Sequence, residues 1–250
     1  MLNYELIKGK SSGKTVVFLH GFLENLSMWK VLNLQNCHFD SLLIDLPGHG
    51  KSRNEDEESP SISFFSSKIN EVIDLLDLLK VDIVGHSMGG YVALNFKDYY
   101  SHRVEKMVLL NSNFWEDSKR KKRDRLRVAE IVKSNKKLFI NEAIPNLFNN
   151  KINNDIIIKE LVEDASKMDC YSIAYSALAM RNRKDYSELV KKNNDDILII
   201  QGDTDKVIPL SEMERKTEEL NVNYKLIKKS GHMSVFESNK EVYSLLNEFL

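Results

Sequence analysis

The chain has 250 residues, of which 42% are hydrophobic and 29% are charged, and its formal net charge is −1 at pH 7. This length suits one domain, or one domain with a modest insertion, and the composition excludes an intrinsically disordered protein. A nearly neutral chain gives no general reason to expect a nucleic acid or an anionic membrane as its partner.

We expect no signal for export or for membrane insertion in this sequence. Its first residues lack a basic segment followed by an apolar run, so we predict no signal peptide. Its apolar runs are far shorter than the ~20 residues that cross a bilayer. Its two cysteines, Cys37 and Cys170, lack a C-x-x-C motif and form neither a disulfide framework nor a metal cluster. We therefore expect a cytoplasmic protein that needs no metal and no cofactor.

Seven segments have the pattern of β-strands. Residues 2–7 alternate apolar and polar side chains, as an edge strand does. Five segments are short and continuously apolar, as in a sheet that is covered on both faces, namely residues 15–19, 42–45, 82–84, 107–110 and 197–200. Residues 224–227 are the seventh segment.

Helical patterns separate these strands. Residues 64–79 and 239–250 repeat apolar side chains at helical spacing, and residues 89–100 are also predicted to be helical. The alternation predicts an α/β fold in which a mostly parallel central sheet has helices on both faces. The polar residues 54–63 are predicted to form a surface loop.

The alternation of strands and helices stops at Asn113 and resumes after residue 189. This stretch shows no strand pattern but four helical ones, over residues 118–134, 136–148, 155–167 and 171–180. We therefore interpret residues 113–189 as a helical cap that is inserted over one end of the sheet. Residues 1–112 and 190–250 then form the core.

The strongest chemical motif is Gly85-His86-Ser87-Met88-Gly89. A strand pattern precedes it and a helix pattern follows it, which is the context in which G-x-S-x-G forms a nucleophile elbow. A chance match at the start of a helix is the alternative, and the flanking patterns argue against it. The sharp turn would raise the side chain of Ser87 above the sheet. We predict that Ser87 is the nucleophile and that a base removes its proton.

A second motif, His20-Gly21-Phe22, directly follows the predicted strand 15–19. A glycine here lets the main chain turn so that a following N–H group can face the serine. We predict that the N–H groups of Phe22 and Met88 form the oxyanion hole. His20 is expected to brace this loop rather than to carry a proton, and it is also a candidate for the substrate pocket.

The base must be a histidine at the same edge of the sheet as Ser87. His102 lies in the connection that leads away from the elbow, so we expect it to be exposed to solvent. His49 lies between two glycines and is expected to pack within a loop. His232 directly follows the last strand at the carboxyl edge of the sheet, and it is therefore the predicted base.

Two aspartates after the predicted strand 197–200 compete for the role of the acid, which orients the base and stabilises its charged form. Asp203 could instead cap the turn through nearby N–H groups. Asp205 reaches further beyond the strand, and we favour it for this reason. The chain order Ser87, Asp205, His232 is then one of the known orders of a catalytic triad.

These motifs resemble those of the α/β-hydrolase superfamily, in particular of its small capped members with esterase, lactonase or C–C hydrolase activity. The resemblance covers nearly the whole core and rests on residues 20–22, 45–52, 85–90, 202–209 and 231–232. It implies that Phe22, Met88 and Trp115 line the substrate pocket. It also implies that Arg183 belongs to an Arg-x-Asp element of the cap and faces the same pocket.

The favoured hypothesis is a serine hydrolase that cleaves a carboxylic ester or thioester of small to medium size through an acyl-enzyme. The serine at the elbow argues against related enzymes that use aspartate there, such as haloalkane dehalogenases and epoxide hydrolases. One alternative is a lyase like the menaquinone-pathway synthase, or a C–C bond hydrolase, with the same triad. Another alternative is a ligand receptor on a hydrolase fold, which an intact triad disfavours. The resemblance at His86 favours an esterase.

The predicted cap contains a basic run, residues 119–127, in which seven of nine residues are lysine or arginine. We expect a solvated helix face, with a rim that attracts an anionic substrate as the alternative. The run lacks interleaved aromatic residues, which argues against nucleic-acid binding. Its low apolar content does not favour membrane binding. The expected partner is therefore a small-molecule ester or thioester, whereas the oligomeric state is left open.

Overall fold

The structure is a computed structural model that describes residues 1–11, 13–53 and 59–250. Within these residues a single sheet contains seven strands: β1 (Tyr4–Ile7), β2 (Thr15–Leu19), β3 (Asp40–Ile44), β4 (Val81–His86), β5 (Val104–Leu110), β6 (Ile197–Gly202) and β7 (Asn223–Ile227). Their spatial order is β1-β3-β2-β4-β5-β6-β7. Only β1 runs antiparallel to its neighbour, β3, and the other neighbouring pairs are parallel. The predicted α/β fold with a mostly parallel sheet is confirmed.

The helices of the described residues are α1 (Ile62–Leu75), α2 (Met88–Tyr99), α3 (Lys119–Ala143), α4 (Asp155–Lys167), α5 (Cys170–Arg181), α6 (Ser187–Lys192), α7 (Leu210–Leu220), α8 (Ser234–Glu237) and α9 (Asn239–Phe249). A 3-10 helix, Leu26–Leu32, follows β2. In the described ranges, no helix is both long enough and apolar enough to cross a membrane.

Each strand contributes to two cores because successive side chains point to opposite faces of a sheet. In β2, Val17 and Leu19 pack on one face with α1 and α2. Val16 and Phe18 pack on the other face with Leu26–Leu32 and α9. All four side chains are completely buried. Burial on both faces explains why the central strands are continuously apolar.

Several elements begin or end elsewhere than the sequence predicts. Helix α1 begins at Ile62, within the predicted loop 54–63, because the hydroxyl of Ser61 accepts the N–H of Phe64 and caps the helix. It ends at Leu75 rather than at residue 79, since Asp77 adopts a left-handed conformation with φ 52°. Residues 54–58 of the predicted loop lie outside the described residues.

The motif of residues 45–52 forms a loop that is built around the carboxylate of Asp45. This carboxylate accepts hydrogen bonds from the N–H of Leu26 at 2.8 Å, the N–H of Lys51 at 2.9 Å and the Asn3 amide at 2.7 Å. A Cβ on Gly50 would lie 2.3 Å from the same carboxylate. The motif thus ties the loop after β3 to the edge strand and to the segment after β2.

Every residue from 113 to 189 is described, and none of them lies in a strand. Helices α3, α4 and α5 form a separate apolar cluster, which includes Val132, Ile140 and Leu161. Asn135 interrupts α3 with φ −132° and ψ 37°, at the boundary that the sequence predicts between two helices. Leu23 and Met233 also pack into this cluster. The helical segment therefore touches the loops that follow β2 and β7.

Candidate active site

Ser87 lies at the sharp turn between β4 and α2. Its backbone has φ 49° and ψ −112°, a conformation that is strained in a residue other than glycine. Its N–H donates to the carbonyl of Leu110 over 3.0 Å, and its own carbonyl accepts the hydroxyl of Ser112 over 2.7 Å. Groups at the end of β5 therefore hold the strained turn, and the side chain of Ser87 stays partly exposed.

The turn requires glycine at two positions because the neighbouring backbone leaves no space for a side chain. A Cβ on Gly85 would lie 2.5 Å from the carbonyl carbon of Gly89. A Cβ on Gly89 would lie 2.2 Å from the carbonyl oxygen of Leu19. The G-x-S-x-G pattern thus reflects the close approach of α2 to both β4 and β2.

Ser87, His232 and Asp205 form one chain of hydrogen bonds. Nε2 of His232 lies 2.8 Å from Oγ of Ser87, and Nδ1 lies 2.8 Å from Oδ2 of Asp205. His232 is 3% exposed and Asp205 is 7% exposed. Because an ionised carboxylate only accepts hydrogen bonds, Nδ1 carries the proton and Nε2 is left to accept one from the serine hydroxyl.

The carboxylate of Asp205 has further donors on the loop after β6. Its Oδ1 accepts the N–H groups of Val207 at 2.8 Å and of Ile208 at 3.1 Å, and its Oδ2 accepts the Asn111 amide at 3.2 Å. Burial opposes ionisation, but the attraction of His232 and the hydrogen bonds outweigh it, so the pKa of Asp205 lies below its ordinary value. Asp205 is therefore ionised at neutral pH.

Asp203 has a different role in the same loop. Its Oδ1 accepts the N–H of Ser230 at 3.4 Å, and its own N–H donates to the carbonyl of Ile227 at 2.9 Å. These bonds tie the loop after β6 to the loop after β7, which carries His232. Of the two aspartates, Asp205 is the one that contacts His232.

The two N–H groups that the sequence predicts for an oxyanion hole lie on separate elements. Met88 is the first residue of α2, and the first N–H groups of a helix have no acceptor within it. Phe22 lies in the loop after β2, and in the described part of the chain its N–H donates to no other group. Its neighbour Leu23 has φ 67°, which is rare for leucine.

His20 is completely buried and uses both ring nitrogens within the protein. Its Nδ1 donates to the carbonyl of Gly21 at 2.8 Å, and its Nε2 accepts the N–H of Leu46 at 2.9 Å. Burial lowers the pKa of His20, which keeps the ring neutral and able to accept at Nε2. His20 thus joins the loops after β2 and β3, and its contribution to the substrate pocket stays a prediction.

Arg183 is also buried, with 5% exposure. Its guanidinium forms an ion pair of 2.8 Å with Asp117 and donates at 3.0 Å to the carbonyls of Met180 and Trp115. It also stacks 4.0 Å from the ring centre of Tyr91. These contacts join the end of α5 to the segment after β5. The charge of Arg183 is thus paired within the protein, and its contact with a substrate stays a prediction.

The remaining residues expected in the pocket differ in their burial. Phe22 is half-buried and packs against both the core and the helices of residues 113–189. Met88 is completely buried, and Trp115 is 8% exposed. The ammonium of Lys216 lies 5.2 Å from the ring centre of Trp115. The contribution of these side chains to substrate binding stays a prediction.

Two polar residues near Ser87, His232 and Asp205 were not predicted from the sequence. Asn111 directly follows β5 in a left-handed conformation, φ 45°, and its amide donates to Asp205 and to the carbonyl of Gly231. Glu24 follows β2, is 4% exposed and lies 2.9 Å from His86. Two sequence features could have identified them: Asn111 directly follows an apolar strand, and Glu24 lies three residues beyond the Gly21 turn.

Comparison with known proteins supports the same architecture. A family model described as the alpha/beta hydrolase fold matches residues 14–126. The malate-bound esterase of Thermogutta terrifontis has a similar structure, with a TM-score of 0.90 and 27% identity over 99% of this chain and 92% of that chain.

Two curated enzymes are similar to most of this chain. A 2-hydroxy-6-oxononadienedioate/2-hydroxy-6-oxononatrienedioate hydrolase of Pseudomonas putida is 25% identical over 95% of this chain and 88% of its own length. A pimeloyl-[acyl-carrier protein] methyl ester esterase of Wigglesworthia glossinidia brevipalpis is 25% identical over 92% of this chain and 90% of its own length. By contrast, the match to an uncharacterized protein of Mycobacterium tuberculosis covers 40% of this chain and only 30% of that longer protein.

The sheet order, the strained serine turn and these similarities define a class of protein. The chain has the α/β-hydrolase fold, which a family model matches over residues 14–126. Its relatives include esterases and a hydrolase of dienedioates, which supports an enzyme.

Proposed function

We propose that this protein is a serine hydrolase that cleaves carboxylic esters through an acyl-enzyme. The observation that carries the proposal is the unbroken hydrogen-bond chain from Asp205 through His232 to Ser87, with both distances 2.8 Å. His232 Nε2 takes the hydroxyl proton while Oγ of Ser87 attacks the acyl carbon. The former carbonyl oxygen then becomes an oxyanion, which the N–H groups of Phe22 and Met88 stabilise.

The second half of the reaction uses the same groups. His232 gives its proton to the leaving alcohol as the ester C–O bond breaks, which leaves the acyl group on Ser87. Water then attacks the acyl-enzyme and loses a proton to His232. As the second tetrahedral intermediate collapses, His232 returns this proton to Oγ of Ser87, which releases the acid and regenerates the serine. Asp205 stays ionised throughout and stabilises the imidazolium.

We further propose that residues 113–189 act as a cap over this site, on a core formed by residues 1–112 and 190–250. The N–H of His232 donates to the carbonyl of Leu147 at 2.8 Å, so the segment contacts the base directly. Leu23 and Met233, which adjoin Phe22 and His232, pack into its apolar cluster. Such a cap would limit the size of the acyl group and exclude water from the acyl-enzyme.

The buried state of Arg183 favours an ester over a substrate with several carboxylates. The name of the Pseudomonas putida relative describes a dicarboxylate substrate. Binding such a substrate calls for cationic side chains with unpaired charge, whereas Arg183 is already paired with Asp117. The esterases of Thermogutta terrifontis and Wigglesworthia glossinidia brevipalpis support the ester class. Thioesters would react by the same steps.

The experiment compares wild type with Ser87→Ala on p-nitrophenyl esters from acetate to palmitate, an acyl-CoA and a vinylogous 1,5-diketone. Both proteins are also treated with a fluorophosphonate, which reacts with activated serines. We expect ester hydrolysis and labelling in wild type and neither in the variant. Unchanged labelling of Ser87→Ala would refute the nucleophile, and faster turnover of the diketone than of any ester would indicate a C–C hydrolase.

A further inference from the structure

A second buried carboxylate–imidazole pair lies next to the triad, and the mechanism above does not use it. His86, the residue before Ser87, is completely buried, and its Nδ1 lies 2.9 Å from Oε2 of Glu24. Its other nitrogen, Nε2, lies 2.9 Å from the main-chain carbonyl oxygen of His232. The rings of His86 and His232 are 5.3 Å apart between their centres.

The partners of His86 determine where its protons are. A main-chain carbonyl only accepts hydrogen bonds, so Nε2 must donate. Oε2 of Glu24 also accepts the N–H of Gly21 at 2.5 Å, a hydrogen bond that favours the ionised carboxylate. With Glu24 ionised, Nδ1 donates to it as well, and His86 is an imidazolium.

The electrostatics of the pair agree with this assignment of protons. Burial opposes the charged form of His86, but the attraction of Glu24 and the hydrogen bonds to Glu24 and His232 outweigh it, so the pKa of His86 is raised. Burial likewise opposes ionisation of Glu24, and the charge of His86 and its hydrogen bond hold the pKa of Glu24 below its ordinary value. The two charges cancel, which makes their burial tolerable.

The pair connects three parts of the active site. Glu24 belongs to the loop that carries Phe22, His86 adjoins Ser87, and the acceptor carbonyl belongs to His232. The contact requires glycine at position 21, because a Cβ on Gly21 would lie 2.6 Å from Oε2 of Glu24 and 2.9 Å from Nδ1 of His86. The bond from Gly21 to Glu24 also closes the loop around the strained Leu23.

We propose that the Glu24–His86 ion pair is a positioning element of the serine hydrolase reaction: by donating from both ring nitrogens, His86 holds the Phe22 loop and the His232 loop in a fixed geometry around Ser87. This inference rests on the proposed function. Glu24 and His86 act through the oxyanion donor and the base rather than on the substrate. A misplacement of about 1 Å at reacting groups can lower a rate ~10²-fold.

Three variants test the two halves of the contact. His86→Asn keeps a donor near the position of Nδ1, and His86→Gln keeps one near Nε2, so each preserves one bond. Glu24→Gln keeps the shape of the side chain but removes its charge. We expect each variant to lower kcat for an ester ~10²-fold with little change in KM. His102→Gln, at an exposed histidine far from the pair in sequence, should retain the wild-type values.

Non-additivity and the pH profile separate positioning from a purely structural role. Because the pair acts as a unit, Glu24→Gln combined with His86→Gln should lower kcat no further than either change alone. The titratable groups that act on His86 are Glu24, Asp205 and His232, with His20 as a further neighbour. Loss of the His86 proton at alkaline pH should lower kcat with a one-proton limb. His86→Gln should lack this limb.

Spectroscopy provides a readout that does not depend on a folded variant. In wild type labelled with ¹⁵N-histidine, one buried histidine should have both ring nitrogens protonated at neutral pH. A neutral ring at His86, or full kcat in folded His86→Gln and Glu24→Gln, would overturn the inference. If Ser87→Ala is inactive while these variants are fully active, the proposed function stands and only the inference fails. Retained activity in Ser87→Ala would overturn the proposed function itself.

Discussion

The amide nitrogen of Asn111 lies 3.2 Å from Oδ2 of Asp205, so a side chain that follows β5 holds the carboxylate that follows β6. The register of the two strands, which pairs Leu110 with Ile200, brings these residues together. The N–H of Asn111 also donates to the carbonyl of Ile200 at 2.7 Å. The position of the Asp205 carboxylate therefore depends on the ends of the neighbouring parallel strands β5 and β6. The position of Ser87 depends in the same way on β4 and β5.

Asp205→Asn should retain the fold and lose most of the activity. The amide can present an N–H group to the ring of His232, which favours the tautomer that cannot accept the Ser87 proton. By analogy with serine proteases, kcat should fall by up to ~10⁴. Asp203→Asn is the matched control, and its effect should be far smaller because Asp203 contacts the N–H of Ser230 rather than the base. Steady-state kinetics on a p-nitrophenyl ester check this, and the reverse order of the two effects would identify Asp203 as the acid.

Asp117→Asn should destabilise the protein more than Arg183→Gln does. Loss of the Asp117 charge leaves the buried Arg183 guanidinium without its ion-pair partner, which costs about 3–5 kcal/mol of unfolding free energy, whereas Asp117 keeps Arg125 at 3.3 Å when Arg183 is replaced. Urea unfolding measures this loss, and kinetics on an ester should show similar KM values for the two variants. If Arg183→Gln alone raised KM for a substrate with a carboxylate, Arg183 would be a binding residue after all.

Elements with strong local patterns could be predicted from the sequence. The central strands are buried on both faces, so their apolar runs are continuous, and the serine turn needs Gly85 and Gly89 for steric reasons. Helix α7 was not predicted because its composition is strongly polar, although the two side chains that it buries, Met213 and Thr217, lie four residues apart on one face. Asn135 could be placed at a helix boundary because the apolar repeats on its two sides are separate.

Contacts between loops could not be predicted, because they depend on which distant segments meet. His20 and Arg183 are polar residues close to the predicted site, as pocket residues would be. Their actual partners, the N–H of Leu46 and the carboxylate of Asp117, belong to other segments. The position of Glu24 after the Gly21 turn was only a weak signal, since a glutamate in a loop is usually solvated and only the fold brings it to His86.

His49 should make the folded protein less stable at acidic pH. Burial, together with the nearby His20 ring at 5.1 Å, lowers the pKa of His49 to about 3. An unfolded histidine binds a proton near pH ~6.5, so stability is lost as pH falls below that value, by about 1.4 kcal/mol per pH unit. His49→Asn should therefore reduce the loss of unfolding free energy between pH 7 and pH 5 by about 2 kcal/mol.

Urea unfolding of wild type and His49→Asn at pH 7 and pH 5 measures this difference. The comparison is valid even when the two proteins differ in stability at pH 7. His102→Asn changes an exposed histidine and should keep the pH dependence of wild type. The same pH dependence in His49→Asn and in wild type would show that His49 titrates normally in the folded state.

Gly89→Ala should impair both folding stability and turnover. Its Cβ would lie 2.2 Å from the carbonyl oxygen of Leu19 and 2.7 Å from that of His20, and a backbone carbonyl cannot turn aside as a flexible side chain can. Relief of the clash moves the end of β2 and with it the Phe22 loop. We expect a loss of roughly 1–3 kcal/mol of unfolding free energy from overpacking. If the shift removes one oxyanion donor, kcat falls by ~10²–10³.

Gly13→Ala is the control for this variant because it adds a Cβ without a clash. Chain neighbours aside, that Cβ would meet no atom of the described residues within 4 Å, yet φ at this position is 133°, so the change should lower stability through backbone strain. Its kcat should equal that of wild type, since Gly13 precedes β2 at the opposite end from the Phe22 loop. Thermal unfolding and ester kinetics on both variants separate the two effects. A folded Gly89→Ala with wild-type kcat would show that the approach of α2 to β2 does not set the position of the oxyanion donor.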